Sequence, residues 1–245
     1  MEPNWKIWNV DESVEQRTYQ RATGELPEME STKQLVEMIQ EIYEPGMKVL
    51  DVGCAAGHYY RGLQRIDPKI DYTGIDATVP YINFAKKHFT DPNVKFYVED
   101  IFNIPEHLGK FDIVFCCNVI LHLPDFRVPI KNLLNVTKKR CLIRTLMSEK
   151  TLLCKFLYKD EFDAQNNPTN FVYQNTYSHE LLTSYVKSLG NYNVEIIEDK
   201  FDEGNINKEH KDYSDKQSAV TRVIDHKQVA GNVIFEWTWL KAEVQ

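Results

Sequence analysis

From Met47 to Met147 the chain alternates short β-branched runs with longer amphipathic segments. This alternation constrains the fold more than any other feature, because it is the pattern of βαβ units whose parallel strands share one sheet. Five strands are predicted in order: "MKVLDVG" (47–53), "DYTGID" (71–76), "VKFYVED" (94–100), "FDIVFCCNV" (111–119) and "RCLIRTLM" (140–147). A helix precedes the first. There "STKQLVEMIQEIY" puts Leu35, Met38, Ile39 and Ile42 on one face, with Ser31 and Gln34 spaced as a capping box and Pro45-Gly46 as the stop. Residues 177–189 read as helical, and 193–201 and 232–242 as two further strands with a long polar stretch between them. No internal repeat is visible, and 245 residues suit one large α/β domain with appended segments.

Composition narrows the class. The apolar share of 42% and the charged share of 27% are those of a packed globular protein. No run reaches the ~18 apolar residues of a membrane span. The longest, "FDIVFCCNVILHLP" from Phe111, reads as a buried strand, and the polar, acidic start lacks the basic residues and apolar centre of a signal peptide. Five cysteines without paired spacing fit neither a disulfide framework nor a zinc site. A reducing cytoplasm and no metal are therefore expected, with Cys116 and Cys117 buried as small hydrophobes. A net charge of −7 argues against nucleic acid as the partner, and no membrane association is expected. The one basic run, Lys138-Lys139-Arg140, reads as a solvated turn between a helix and a strand.

The turn after the first predicted strand, Gly53-Cys54-Ala55-Ala56-Gly57, takes two of only ten glycines and leads into a helix starting near His58. Small residues there let ligand atoms approach the backbone, and the helix start offers N–H donors. Asp76 ends the second strand nineteen residues after Gly57, where an acidic side chain accepts hydrogen bonds from a ribose diol. Dinucleotide binding is the rival reading. It wants Gly-x-Gly-x-x-Gly, and here the second glycine is absent and the third stands one place early.

Taken together, "VLDVGCAAG", "YTGIDAT", "FYVEDI" and "FDIVFCCNVILHL" resemble the successive motifs of class I S-adenosylmethionine-dependent methyltransferases, in family order across about residues 47–147. The resemblance implies a Rossmann-like α/β fold: a seven-stranded, mostly parallel sheet with helices on both faces and its last strand antiparallel. It implies S-adenosyl-L-methionine as cofactor and S-adenosyl-L-homocysteine as product. Carried onto this sequence, it places Asp51, Gly53, Cys54, Ala55 and Gly57 in the loop under the methionine part, and Asp76 with Ala77 at the ribose. Asp100 with Ile101 would hold the adenine, and Asn118 with Val119 would face the reacting sulfur. Ala55 stands where the family usually has glycine, which is tolerable if the local backbone angles are ordinary. On the residues alone, Asp100 could instead cap the segment after its strand and Asn118 could close a strand end.

Methyl transfer from a sulfonium releases a neutral leaving group, so alignment dominates, while a hydroxyl or ammonium acceptor also needs a base. His122 is the first candidate, with His179 and Tyr19 in reserve; structural, capping and packing roles stand beside these. Arg144 is odd inside "CLIRTLM" unless it nears the open end of the sheet, where its planar fork could grip phosphate or carboxylate. A pair with an acidic neighbour is the other explanation. Arg21 and Tyr59 are further substrate-binding candidates. The expected acceptor is a small polar, anionic molecule such as a sugar nucleotide or phosphorylated metabolite, methylated at O or N. A macromolecule methyltransferase and a non-catalytic cofactor-binding protein are the alternatives. Residues 1–30, with Trp5 and Trp8, are expected to form an N-terminal lid or arm on a methyltransferase domain of 31–245. Within that domain 148–176 and 202–231 are excursions on the acceptor side or the surface. The 1–30 and 148–176 segments could equally be packing arms or surface excursions.

Overall fold

A computed structural model describes residues 12–157, 160–201, 222–230 and 233–245. Trp5, Trp8 and residues 202–221 lie outside them. Seven strands form the central sheet: β1 (Lys48–Val52), β2 (Asp71–Asp76), β3 (Val94–Val98), β4 (Phe111–Cys117), β5 (Thr137–Ser148), β6 (Tyr192–Glu198) and β7 (Trp237–Val244). Among the described residues six α-helices accompany them: α1 (Glu12–Thr23), α2 (Glu30–Gln40), α3 (His58–Leu63), α4 (Val79–His88), α5 (Arg127–Asn135) and α6 (His179–Ser188). The spatial order is β3-β2-β1-β4-β5-β7-β6. The first five strands are parallel, and β7 runs antiparallel to both of its neighbours. A short strand, Tyr177–Ser178, adds parallel to the end of β5. The order reverses between β1 and β4, where a crevice opens outside the carboxyl ends of the strands.

Burial on both faces explains why the strands read as continuous apolar runs. Val49 and Tyr72 pack with Leu35, Ile39, Tyr60 and Ile82 on one face, while Leu50 and Val114 pack with Ile130, Leu133, Leu182 and Val186 on the other. Successive residues of a strand point to opposite faces, so β1 feeds both cores. At six residues α3 is too short to persist alone, and it is held by burial of Tyr59, Tyr60 and Leu63. A fully buried side chain of this kind stabilises by roughly 1.5–3 kcal/mol.

Three local expectations are corrected. Helix α2 starts at Glu30 with Met29 as its uncapped N-cap, so Ser31 lies inside it. Gln34 is drawn into tertiary bonds instead: its Nε2 donates to Glu198 O (2.8 Å), and its Oε1 accepts from Lys200 N (2.9 Å) and Trp239 Nε1 (3.0 Å). The basic run 138–140 belongs to β5. Lys138 and Lys139 are exposed, but Arg140 is buried, donating to Met38 O and to the carboxylates of Glu41 and Glu243. The 232–242 run breaks at Glu236. Val233–Phe235 joins Arg222–Ile224 and Lys227–Ala230, within the stretch read as polar, in a separate antiparallel sheet. Within 148–176, Lys155–Leu157 pairs with Phe171–Tyr173, and buried Asn175 is tied to the turn after β4 through Leu121 O (2.9 Å) and Leu123 O (2.9 Å).

Candidate active site

The crevice holds a cavity whose floor is the loop after β1. Gly53 N and Cys54 N both donate to Ile75 O (2.8 and 3.0 Å), tying the loop to β2. Gly53 has φ +80°, and a Cβ there would lie 2.2 Å from Val119 Cγ2, so only glycine lets the two strand ends approach. Ala55 has φ +47°. Its backbone is left-handed rather than ordinary, at a cost of about 1–2 kcal/mol for a residue with a Cβ. What offsets this is its N–H, which donates to Asp76 Oδ2 (2.9 Å).

The other oxygen, Asp76 Oδ1, accepts from Thr78 N (2.8 Å) at the start of α4. Burial pushes the Asp76 carboxyl up, and the Thr78 and Ala55 N–H groups hold it back. Each carboxylate oxygen keeps a second lone pair, so this side chain offers two fixed acceptor positions on the cavity wall, which is what a vicinal diol requires. The residues present therefore fit an adenosyl ribose.

Eight of the cofactor candidates line this cavity: Gly53, Ala55, Asp76, Ala77, Asp100, Ile101, Asn118 and Val119. Asp100 caps as well as faces it, since its Oδ1 accepts from Phe102 N (2.9 Å). Three candidates do not line it. Asp51 is buried beneath, accepting from Tyr72 Oη (2.6 Å), and burial pushes its carboxyl well up. Cys54 is buried with a thiol likewise pushed up by burial. Gly57, at φ +82°, leaves room for the Phe96 ring, 2.9 Å from where its Cβ would be. These three shape the loop from below.

At the other end, Asn118 takes φ +61°, a conformation asparagine tolerates well. Its N–H donates to Arg144 O (2.9 Å) and its Oδ1 accepts from Arg144 Nη1 (2.6 Å). The Arg144 fork is spent on Asp199: Nε reaches Oδ1 and Nη2 reaches Oδ2, both at 2.6 Å. Burial would lower the guanidinium's pKa, and the bond and charge of Asp199 outweigh it, so the cation is retained. Arg144 is buried, lies over the Trp237 ring at 4.3 Å and does not line the cavity. The structure thus corrects its reading as an anion grip: it is paired with an acidic neighbour and orients Asn118.

His122 lines the cavity, with Nδ1 2.8 Å from Tyr173 O. A carbonyl only accepts, so Nδ1 carries the proton and Nε2 the lone pair. Burial drops this histidine to about 4, so it is neutral at pH 7. Neither reserve base lines the cavity. His179 opens α6 and borders a separate cavity beside Glu236 and Trp237. Tyr19 donates to Glu15 and stacks on Phe84 at 4.1 Å, with its hydroxyl pushed well up by burial. Tyr59 does line the cavity, whereas Arg21 lines a neighbouring one. Thr18, Thr78, Tyr81, Glu99 and His58 also line the cavity and were not among the candidates. His58, Thr78 and Glu99 adjoin motif positions and were within reach of the spacing argument; Thr18 on α1 gave no local signal. Among the described residues no cluster of three His, Cys, Asp or Glu side chains could hold a metal ion.

A family model described as a methyltransferase domain matches residues 43–208. The chain is 38% identical over 90 residues to tRNA U34 carboxymethyltransferase of Campylobacter concisus (strain 13826), covering 36% of this chain and 30% of that protein. It is 35% identical over 115 residues to phosphoethanolamine N-methyltransferase 3 of Arabidopsis thaliana, covering 44% of this chain and 22% of that one. The matches take in less than a third of either relative. Among solved structures, magnesium protoporphyrin IX methyltransferase from Synechocystis PCC 6803 with bound SAM is similar in fold, at a TM-score of 0.53 and 13% identity over 100% of this chain and 86% of that one. With the family match across most of its length and this strand order, the chain belongs to the methyltransferase-domain family and has the class I fold of S-adenosylmethionine-dependent methyltransferases.

Proposed function

We propose that the protein transfers the methyl group of S-adenosylmethionine to an O or N atom of a small polar acceptor carrying an anionic group, such as a sugar nucleotide or phosphorylated metabolite. The observation that carries the methyl-donor part of this reading is the Asp76 carboxylate, fixed by Ala55 N (2.9 Å) and Thr78 N (2.8 Å) on a cavity that runs on to Asn118 and His122, and an anionic group on the acceptor is supported by Arg21, Arg61 and Arg65, which line the neighbouring cavity. The cofactor supplies an electrophilic methyl on a sulfonium that leaves as a neutral thioether. What the chain supplies is orientation, for which well-aligned systems gain roughly 7–11 kcal/mol. Asp76 anchors the ribose, Asp100 and Ile101 the adenine, and the loop from Gly53 to Ala55 the methionine part. His122, neutral with its lone pair on Nε2, orients the proton that the acceptor sheds.

The described part of the N-terminal segment, from Glu12 on, supports a lid or arm, since Val14 and Thr18 of α1 wall the cavity. A net charge of −7 weighs against a nucleic-acid acceptor, although one relative is named for tRNA. A reducing cytoplasm suits the five free cysteines. Among the described residues no helix is long and apolar enough to cross a membrane. The test is an acceptor panel with labelled S-adenosylmethionine, read by mass spectrometry for a methyl-sized gain. Turnover of neutral acceptors alone removes the anionic assignment. No heat with S-adenosylhomocysteine on folded protein removes the cofactor assignment.

A further inference from the structure

Beside the cofactor cavity, and sharing His58 with it as a wall, lies a second cavity of about 480 Å³ between the end of α1, residues 24–32 and α3. His58, Arg61, Gly62 and Arg65 fall at helical spacing, so one face of this turn is presented to it. Gly62 lets the opposite wall close: a Cβ there would stand 2.6 Å from Thr32 Cγ2 and 2.9 Å from Glu28 Oε1. Gly24 does the same for Arg61, whose Nη1 lies 1.3 Å from where a Gly24 Cβ would be.

Among the described residues the lining holds Arg21, Arg61 and Arg65 with one carboxylate, Glu28, which takes Arg65 Nη1 at 2.7 Å. Arg21 Nη1 approaches Met29 Sδ at 3.0 Å, and Arg61 has no ion pair among the described residues. Both ring nitrogens of His58 are buried and have no hydrogen-bond partner among the described residues. These nitrogens are covered rather than open to either cavity, so the guanidinium groups are the polar side chains that a ligand here meets. Guanidinium forks match phosphoryl oxygens best.

We propose that this second cavity is an oxyanion site that holds a phosphate-type group of the methyl acceptor, with Arg21, Arg61 and Arg65 supplying charge. The proposal rests on the anionic-acceptor reading and gives it a location. Inorganic pyrophosphate is the probe, titrated calorimetrically into the full chain saturated with S-adenosylhomocysteine. Saturable binding is expected, weakened at least tenfold by Arg61→Gln/Arg65→Gln, with S-adenosylhomocysteine affinity unchanged. Arg61 and Arg65 are solvent-exposed, and the single Arg61→Gln carries the test if the double variant does not fold. Absence of saturable binding, or equal affinity in the variants, overturns the site. If phosphorylated acceptors still turn over equally well in those variants, the site is overturned and the anionic-acceptor reading stands. If pyrophosphate binds but only neutral acceptors are methylated, the assignment of that anion to the acceptor is overturned.

Discussion

At one end of the cavity Gly53, Ala55, Asp76 and Thr78 come from two adjacent strands, and the bond that fixes them, Ala55 N to Asp76, joins residues 21 apart in the chain. At the other end Asn118 is held by Arg144, Arg144 by Asp199 and Asp199 by Trp239, at separations of 26, 55 and 40 residues. Trp239 in turn reaches Gln34 across 205 residues, and His122 takes its tautomer from Tyr173, 51 residues on. The donor end is therefore a local device, complete once β1 and β2 pair. The acceptor end exists only when the far half of the sheet, the 148–176 segment and α2 have all docked. Local devices tolerate remote substitutions, whereas networks of buried charge do not.

The largest effect that would test this contrast is at Asp199. Its replacement by alanine leaves the Arg144 cation buried without its bidentate partner, and breaking such a pair costs about 3–5 kcal/mol. Urea denaturation should show a loss of that size, while Arg144→Met/Asp199→Leu recovers most of it. A loss below about 1 kcal/mol would break the comparison. Second comes Asp76→Ala. Charged hydrogen bonds contribute about 1.5–3 kcal/mol each, so S-adenosylhomocysteine affinity should fall roughly 100-fold by calorimetry. An affinity held within about threefold would remove Asp76 from the ribose.

The same contrast explains what the sequence disclosed. β1, β2 and β4, the glycine turn and Asp76 are readable because period, turn chemistry and spacing are local properties. The left-handed Ala55 was not readable, since a carboxylate from the next strand holds it there. Arg144 was visible as an anomaly, but its partner Asp199 sits in an ordinary "IIEDKF" with nothing to single it out. Gln34 matched a capping box and was claimed by Trp239 and Lys200 instead, a tertiary override of a local preference. The split of 232–242 at Glu236 depends on which sheet each half joins, information that a single run does not hold.

A smaller effect concerns pH. His122 titrates at about 4 and His58 at about 3, against an ordinary 6.5, in both cases chiefly because burial disfavours the charged ring. Below about pH 6.5 the unfolded chain binds protons these rings refuse, so stability falls as pH drops toward 4, by about 1 kcal/mol per pH unit for each histidine. Asp76, raised by burial, acts with the opposite sign: the folded state takes its proton first and gains stability as pH falls. His122 and Asp76, at opposite ends of the cavity, thus pull in opposite directions. Urea midpoints from pH 7 to 4.5 should fall less steeply in His122→Gln than in the parent protein. Equal slopes would mean that His122 is not held neutral.

The smallest effect is the sharpest probe of locality. Ala55→Gly removes a Cβ from a left-handed position, relieving about 1–2 kcal/mol. The added freedom of the unfolded chain takes back about 0.5–1 kcal/mol. The balance is a gain of roughly 0.5–1 kcal/mol in urea denaturation. Because the N–H to Asp76 belongs to the backbone, the bond survives the substitution, and S-adenosylhomocysteine affinity should change by less than about threefold. The His122 titration, read by NMR, should not move, because the carbonyl that holds Nδ1 belongs to Tyr173, far from the loop after β1. A loss of stability beyond about 1 kcal/mol would show that the alanine methyl is packed rather than strained. A shifted His122 would show that the two ends are coupled, and that the loop carries part of the network assigned here to the far strands.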